Sequence, residues 1–332
     1  MQALLMAGGG GTRLWPLSTD ELPKQFLALF DQRSLLQTTY DRVAKVVPAD
    51  HIWLGGSTKH IDLLKKHLPQ INSQHVVLEP AKRDNAAAIC LNLLLMQQSG
   101  IGDDEVVVML PTDHAIGNEA EFAQVLLAGE AFLKQSPQFV ITIGIQPTHP
   151  ETGYGYIDCT NSVLLESHQH QVVAVNKFVE KPDLATAQQY LHQGTYLWNS
   201  GIYLWTLGAM LRAFSLLLPD IFQPLQSHLA NWQEIYATLP ATSLDYGITE
   251  KISTVATIPT QTLEWSDIGD FRALGKQTLG DVTAIDVKNS YICNQTNTPI
   301  KILGIENIVV VQTEKGLLIC NRDRAQEIKK LL

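Results

Sequence analysis

Five short apolar runs, each broken by turn-forming or polar residues, place the tightest limit on how this chain can fold. They lie at 3–6 (ALLM), 52–54 (IWL), 76–78 (VVL), 106–110 (VVVML) and 140–145 (VITIGI). Each is too short for a helix and too continuously apolar for a strand with one wet face, so they read as strands buried on both sides. Stretches of helical period separate them. Ser34 with Gln37 makes a capping-box start, and Leu36, Tyr40, Val43 and Val47 follow at helical spacing. Asp84 or Asn85 can cap a helix over 86–98 that Ser99-Gly100 ends, while Asn118 with Glu121 opens another. Such alternation specifies an α/β fold, a Rossmann-like, mostly parallel sheet with helices on both faces. Ligands of such sheets sit beyond the carboxyl ends of the strands, which is where functional residues are to be sought.

From about Thr278 the texture changes. Short β-like runs at 283–287, 291–293, 308–312 and 317–320 recur between Asn, Thr and Gly turns, followed by a polar helical stretch at 324–332. The expected division is a catalytic domain over 1–277 and a small β-rich appendage with a terminal helix over 278–332.

Composition narrows the partners. Only 17% of the 332 residues are charged, against about 25% in an ordinary globular protein, while 45% are apolar, so the chain is not intrinsically disordered. Its net charge of −9 argues against a polynucleotide track, which needs a basic face, and confines any polyanion to a small local site. No nucleic-acid partner is expected. Cys90, Cys159, Cys293 and Cys320 are widely spaced without a CxxC pair, so buried reduced thiols are expected rather than zinc ligands or disulfides. The amino terminus lacks a basic leader region, and no run of ~18 apolar residues occurs. A soluble, cytoplasmic protein without a membrane partner is the expectation.

Directly after the first apolar run stand Gly8, Gly9, Gly10 and Gly11, then Thr12 and Arg13. Glycines allow a tight turn with inward N–H groups, and no Cβ blocks a phosphate. The spacing is neither a P-loop, for no Gly-Lys-Ser/Thr follows, nor the dinucleotide fingerprint, because position 13 is arginine. Arg13 and Lys24 are the cations nearest in sequence; surface solvation is their ordinary role, but beside a phosphate cradle they would offset charge on a transferring phosphoryl group.

Carboxylates follow later strands. Asp113 stands at the end of the 106–110 run, and Asp267 precedes a glycine in WSDIG. Two carboxylates with open positions suit Mg²⁺, which keeps waters and substrate phosphates in its shell; a turn or helix cap is the common alternative for either alone. His114 reads as structural, and His168 and His170 as a polar surface loop. Glu180, Lys181 and Asn199 lie near aromatics, where such residues hold sugar hydroxyls and phosphates.

In order along the chain stand GGGGTRLWPLS (8–18), PKQF (23–26), EPAKRDNAAAI (79–89), PTDH (111–114), GIQPTHPETGYGYI (144–157), FVEKP (178–182), WNSG (198–201), SLDYGITEK (243–251) and WSDIG (265–269). Together they resemble the sugar-phosphate nucleotidylyltransferases, and among these the guanylyltransferases that act on mannose 1-phosphate. The resemblance spans nearly the whole chain. It implies that a sugar-1-phosphate oxygen attacks the α-phosphorus of GTP in line, giving GDP-mannose and pyrophosphate. It assigns the triphosphate to Gly8, Gly9, Gly11 and Thr12, catalytic charge to Arg13 and Lys24, and Mg²⁺ to Asp113 and Asp267. Arg83, Asn85 and Thr112 would lie near the guanine, and Gly155, Glu180, Lys181 and Asn199 near mannose and its phosphate. It also implies a short form without the isomerase domain of longer relatives, and a left-handed β-helix-like appendage that packs between subunits in a homodimer.

The chain departs from the family pattern at Thr19-Asp20-Glu21, where an arginine is usual, at Arg83–Ala88 and at Gly269-Asp270-Phe271. Two other functions share the motifs: a nucleotidylyltransferase for a different hexose 1-phosphate, since one hydroxyl decides that choice, and a catalytically silent regulatory or sugar-nucleotide-sensing subunit. Retention of Arg13, Lys24, Asp113 and Asp267 argues against the silent form.

Overall fold

The computed structural model describes residues 1–332, and the side chains of all but Thr160 and Asn161. Two compact units form, each from separate stretches of chain. The first holds Met1–Gly8, Tyr40–Thr112 and Ile116–Trp265; the second holds Gly9–Thr39, Asp113–Ala115 and Ser266–Leu332. Residues 278–332 thus share a unit with the loops that follow the first and fourth strands.

The first unit is built on a nine-stranded sheet: β1 (Gln2–Ala7), β2 (Ile52–Ser57), β3 (Val76–Glu79), β4 (Val106–Pro111), β5 (Val140–Ile145), β6 (Tyr156–Ser167), β7 (His170–Val179), β8 (Tyr196–Thr206) and β9 (Val255–Thr260). Their order is β3-β2-β1-β4-β8-β5-β9-β7-β6, with β6 also pairing β8. β1 lies parallel to β2 and β4, β2 to β3, and β5 to β9. β8 runs antiparallel between β4 and β5, and β7 antiparallel between β9 and β6. Only β7 and β8 therefore oppose the common direction. All five apolar runs read from the sequence are strands of that common direction, extended by one to three residues at some of their ends.

Helices cover both faces. They are α1 (Leu35–Ala44), α2 (Ile61–His67), α3 (Asp84–Gln98), α4 (Glu119–Gln135), α5 (Leu184–Gln193), α6 (Leu207–Leu217) and α7 (Pro219–Ser227). On one face Leu4, Trp53, Val107, Tyr203 and Trp205 pack with Ile89 and Leu93 of α3, Phe214 of α6 and Phe222 of α7. On the other, Gly129 of α4 lies against Leu204, Ile141 and Ile258, where a Cβ would press to 3.0 Å from Leu204. Tyr203, Leu204 and Trp205 are consecutive on β8, so the period-two alternation of a strand delivers them to opposite layers. Each such side chain contributes ~1.5–3 kcal/mol on burial.

The capping box at Ser34 forms as read, Ser34 N–H donating to Gln37 Oε1 at 3.0 Å and Gln37 N–H to Ser34 Oγ at 3.3 Å. Asn118 likewise caps α4, accepting from Glu121 N–H at 3.1 Å. The start of α3 differs. Neither Asp84 nor Asn85 caps it: the helix begins at Asp84 itself, with Arg83 at the cap position and no side-chain cap bond. The two side chains are employed elsewhere, Asp84 Oδ1 accepting from Asn85 N–H and Asn85 Oδ1 from Leu244 N–H. The histidines read as a loop form a hairpin: His168 sits in its turn, while His170 opens β7 with its side chain 3.6 Å from Glu121.

In the second unit the strands are β10 (Gln277–Leu279), β11 (Val282–Ile285), β12 (Tyr291–Asn294), β13 (Ile300–Leu303), β14 (Ile308–Thr313) and β15 (Gly316–Asn321). β10, β12 and β14 stack in parallel; β11 and β13 form a second parallel ladder, and Lys288 bridges Glu306 in a third. Three successive parallel ladders are the signature of a coiled β-helix. β15 then folds back antiparallel on β14. The terminal helix is a 3-10 helix over Arg322–Leu331, two residues ahead of the expected start. Tyr291, Val309, Val311, Leu318, Ala325 and Ile328 share one core with Leu14, Leu17, Leu27, Leu35 and Phe271. That shared core fixes the glycine loop's continuation to the β-helix. All four cysteines are free.

Candidate active site

Gly9–Gly11 leave β1 and turn into a 3-10 turn at Thr12–Leu14. Gly9 and Gly11 take positive φ, 101° and 60°. Gly11 needs its missing side chain twice over, because a Cβ there would lie 2.5 Å from Lys24 Cβ. Ser18 Oγ donates to the Gly11 carbonyl and fixes the loop from the other side. By contrast, a Cβ at Gly8 or Gly9 would meet nothing within 4 Å, which leaves that backbone open to approach.

Around this loop the second unit gathers a cavity of about 290 Å³, lined by Gly11, Thr12, Arg13, Lys24, Asp113, His114, Asp267, Ile268, Gly269 and Lys329. Lys24 is buried. Its ammonium sits 3.0 Å from Asp113 Oδ2 and also donates to the main-chain carbonyl of Asp267. Burial pushes the Asp113 carboxyl up, but Lys24 and His114 outweigh it, so the group is held below the usual carboxylate range and stays ionised. Asp267 Oδ1 accepts from Gly269 N–H at 3.0 Å. Between them Ile268 is buried with a φ of 47°, a left-handed conformation that a β-branched residue adopts only under constraint. The two aspartates taken from sequence as metal ligands thus line one pocket. No cluster of three or more His, Cys, Asp or Glu residues arranged for a metal occurs among the described residues. Two carboxylates in one pocket could hold an ion such as Mg²⁺, which fills most of its shell with water and phosphate.

A second group forms in the first unit from β6, β7 and β8. Asn199 N–H donates to the Gly155 carbonyl at 2.8 Å, and Glu180 Oε2 packs so closely over Gly155 that a Cβ there would lie 2.7 Å away. Glu180 pairs with Lys181. Lys181 takes a φ of 48° as its N–H donates to the Tyr154 carbonyl at 3.2 Å. The four residues expected to bind sugar are therefore brought together. The sequence reading missed their support. Thr142 Oγ1 donates to Asn199 Oδ1 at 2.6 Å; Asn199 Nδ2 donates to Tyr203 Oη at 2.8 Å and to Asp245 Oδ1 at 3.3 Å; Tyr203 Oη donates to Asp245. Burial raises the Asp245 carboxyl to about 6, with Glu180 adding to the rise while Tyr203 and Lys181 oppose it. Asp245 opens a π-helical turn, a local widening that often accompanies function. Its only sequence signal was its place in SLDYGITEK.

The residues expected near guanine are engaged with main chain. Arg83 donates to the Ala237 carbonyl, Asn85 Oδ1 accepts from Leu244 N–H at 2.7 Å, and Thr112 Oγ1 donates to the Met6 carbonyl at 3.2 Å. Arg83 and Asn85 thereby tie the start of α3 to the 237–244 segment. Gly8 and Thr112 follow the ends of β1 and β4 in the first unit.

Residues 2–283 match the family described as Nucleotidyl transferase, and residues 280–332 match the MannoseP isomerase/GMP-like beta-helix domain. The mannose-1-phosphate guanylyltransferase of Escherichia coli is 32% identical over 99% of this chain and 74% of its own length. The chain belongs to the mannose-1-phosphate guanylyltransferase family of nucleotidyl transferases. The xanthan biosynthesis protein XanB of Xanthomonas campestris pv. campestris is 35% identical over 99% of this chain and 72% of its own length. A solved structure from Thermus thermophilus, named mannose-1-phosphate geranyltransferase, aligns at a TM-score of 0.87 with 30% identity, covering 99% of this chain and 97% of that one. Like other members of the family, this chain is a nucleotidyltransferase enzyme, and no helix among its described residues is long and apolar enough to cross a membrane.

Proposed function

We propose that this enzyme transfers the guanylyl group of GTP to mannose 1-phosphate, forming GDP-mannose and pyrophosphate. The observation that carries the reading is the single cavity that joins the glycine loop, Arg13, Lys24, Asp113 and Asp267 in a chain of this family. A phosphate oxygen of the sugar substrate bonds to the α-phosphorus while the bond from that phosphorus to the bridging oxygen of pyrophosphate breaks. The electron pair and its negative charge leave with pyrophosphate. Such a transfer needs positioning and charge stabilisation more than a protein nucleophile.

Arg13 and Lys24 offset the charge that moves onto the leaving group. Asp113 and Asp267 would hold Mg²⁺, which supplies Lewis-acid polarisation of the phosphate oxygens. Lys24, bridging both aspartates, keeps their spacing and holds Asp113 ionised. Gly8, Gly9, Gly11 and Thr12 would receive the triphosphate. Glu180 would accept from sugar hydroxyls, Lys181 would meet the sugar phosphate, and Asn199, with both amide ends already oriented by Thr142 and Tyr203, would present fixed contacts. Arg83, Asn85 and Thr112 would shape the guanine side chiefly through the main chain they hold. A cytoplasmic homodimer completes the reading, its self-association supported by exposed Ile285, Leu303, Ile305, Leu317 and Ile319 on the β-helix.

The test is a matrix of nucleoside triphosphates against sugar 1-phosphates with Mg²⁺, reading pyrophosphate release. Turnover should be highest for GTP with mannose 1-phosphate. A maximum at another sugar would move the substrate class, and silence across the matrix would favour a regulatory subunit.

A further inference from the structure

One wall of the cavity comes from the far end of the chain. Lys329, in the terminal 3-10 helix, lines it together with Arg13, Lys24, Asp113 and Asp267. The helix is not a loose tail. Ala325 and Ile328 are 0% and 2% exposed, and they share a core with Leu14, the last residue of the turn that carries Arg13, and with Leu17 just after it. Lys329 follows Ile328 directly, so the contact that buries the isoleucine also fixes where the lysine stem begins.

The charges in the cavity are unevenly committed. Lys24 is occupied by Asp113 at 3.0 Å and by the Asp267 carbonyl. In the same helix Lys330 pairs with Glu327 at 3.0 Å, and Arg324 with Glu327 at 2.9 Å. Lys329 has no ion pair among the described residues and faces the cavity instead. A lysine is a point charge on a flexible stem, suited to a phosphate group whose position shifts between substrate and product.

We propose that Lys329 is a phosphate-binding residue of this active site, taking the terminal phosphates of the nucleoside triphosphate and, in the reverse direction, pyrophosphate. The inference rests on the nucleotidyl-transfer reading and deepens it: the β-helix domain then contributes a side chain to the chemistry and does not only support it. The sugar phosphate is not its ligand.

The full-length Lys329→Met and Lys329→Arg variants are compared with Lys330→Met, whose lysine is exposed like Lys329 but already paired with Glu327. Lys329→Met should raise KM for GTP, and for pyrophosphate in reverse, by ~10-fold, the scale of one lost charge-assisted contact. KM for mannose 1-phosphate and Tm should stay near wild type, and Lys329→Arg should recover most of the loss. Direct calorimetric titration with pyrophosphate and Mg²⁺ should show the same weakening, a readout that survives even if the wild type prefers another nucleotide or sugar. Unchanged pyrophosphate affinity in Lys329→Met, or an equal loss in Lys330→Met, would overturn the proposal. An inactive wild type that still binds pyrophosphate through Lys329 would instead sink the proposed reaction and leave this site standing.

Discussion

Lys24 shows how one side chain can hold together a site in which cations and carboxylates are mixed. Its ammonium meets Asp113 Oδ2 at 3.0 Å and the Asp267 carbonyl, while its Cβ packs on Gly11. Replacing Gly11 with alanine would force a Cβ to 2.5 Å from Lys24 Cβ at a φ of 60°. The left-handed backbone alone costs ~1–2 kcal/mol for a non-glycine residue, so Gly11→Ala should lower Tm and, by displacing Lys24, reduce turnover as well. Gly8→Ala, at an open position, should leave Tm unchanged. Equal Tm losses in the two variants would remove the packing argument. The aspartates make a different prediction. Asp113→Asn and Asp267→Asn keep shape and lose charge, and each should cut kcat/KM by ~10²-fold or more. Asp267→Asn should do so with little change in Tm, while Asp113→Asn, which leaves the buried Lys24 ammonium without its counter-charge, should also lower Tm. Near-normal rates would deny them any role in holding Mg²⁺.

At the scale of elements, β8 carries Asn199, the centre of the polar group in the first unit. Asn199 interrupts an otherwise apolar strand, and its amide is locked by Thr142, Tyr203 and Asp245. Asp245 makes this network sensitive to pH. Its carboxyl is raised from 3.8 to about 6, so the folded protein binds that proton more tightly than the unfolded chain does. The stabilisation is fully present below pH ~4 and is lost as pH climbs through about 6, at most ~3 kcal/mol across the window. Asp245→Asn carries no such titration. Its Tm should therefore rise relative to wild type between pH 4 and 7, as measured by parallel thermal melts. Curves that run parallel over that range would mean that Asp245 is not buried as described. The same strand explains where the sequence was readable. The runs that became β1, β2, β4 and β5 are buried on both faces, which leaves a continuous apolar signature, whereas β3, read as buried too, is an edge strand in which only Val77 is buried. β8 hides its signature because the polar Asn199 and Ser200 and the Gly201 break its apolar run, Asn199 being the residue around which the first unit's hydrogen-bond network forms. Asp84 likewise looked like a helix cap, but it is the first residue of α3, with a φ of 57° and its carboxylate turned onto Asn85 N–H.

For the molecule as a whole, the unit that carries the candidate chemistry is assembled from chain segments far apart in sequence. Arg13, Lys24, Asp113, Asp267 and Lys329 line one cavity although they span almost the full chain. Linear motifs found the first four because each stood in a recognisable string; Lys329 stood in a polar helix with no string around it, and His114, read as structural, also lines the cavity. The core beneath the cavity is equally dispersed, with Leu14, Leu17, Leu27 and Leu35 packed against Tyr291, Val309, Val311 and Ile328. A β-helix that merely joined subunits could be removed at a cost to assembly alone. This one supplies half of the core on which the glycine loop's continuation rests. Truncation after residue 277 would strip the buried side chains of Tyr291, Val309, Val311, Leu318 and Ile328 from those leucines. A single large-to-small change in such a core costs ~2–5 kcal/mol, so losing five partners should leave residues 9–39 without a fixed structure. The expected result is a chain that loses turnover and becomes protease-sensitive between residues 9 and 39, at any protein concentration. Ile328→Ala should produce a milder form of the same defect, a lowered Tm with raised KM for GTP. Leu303→Glu, on the exposed face of the β-helix, should shift the oligomeric state measured by light scattering without touching that core. A truncated chain that kept wild-type turnover as a monomer would refute the shared core and, with it, any contribution of the terminal helix to the pocket.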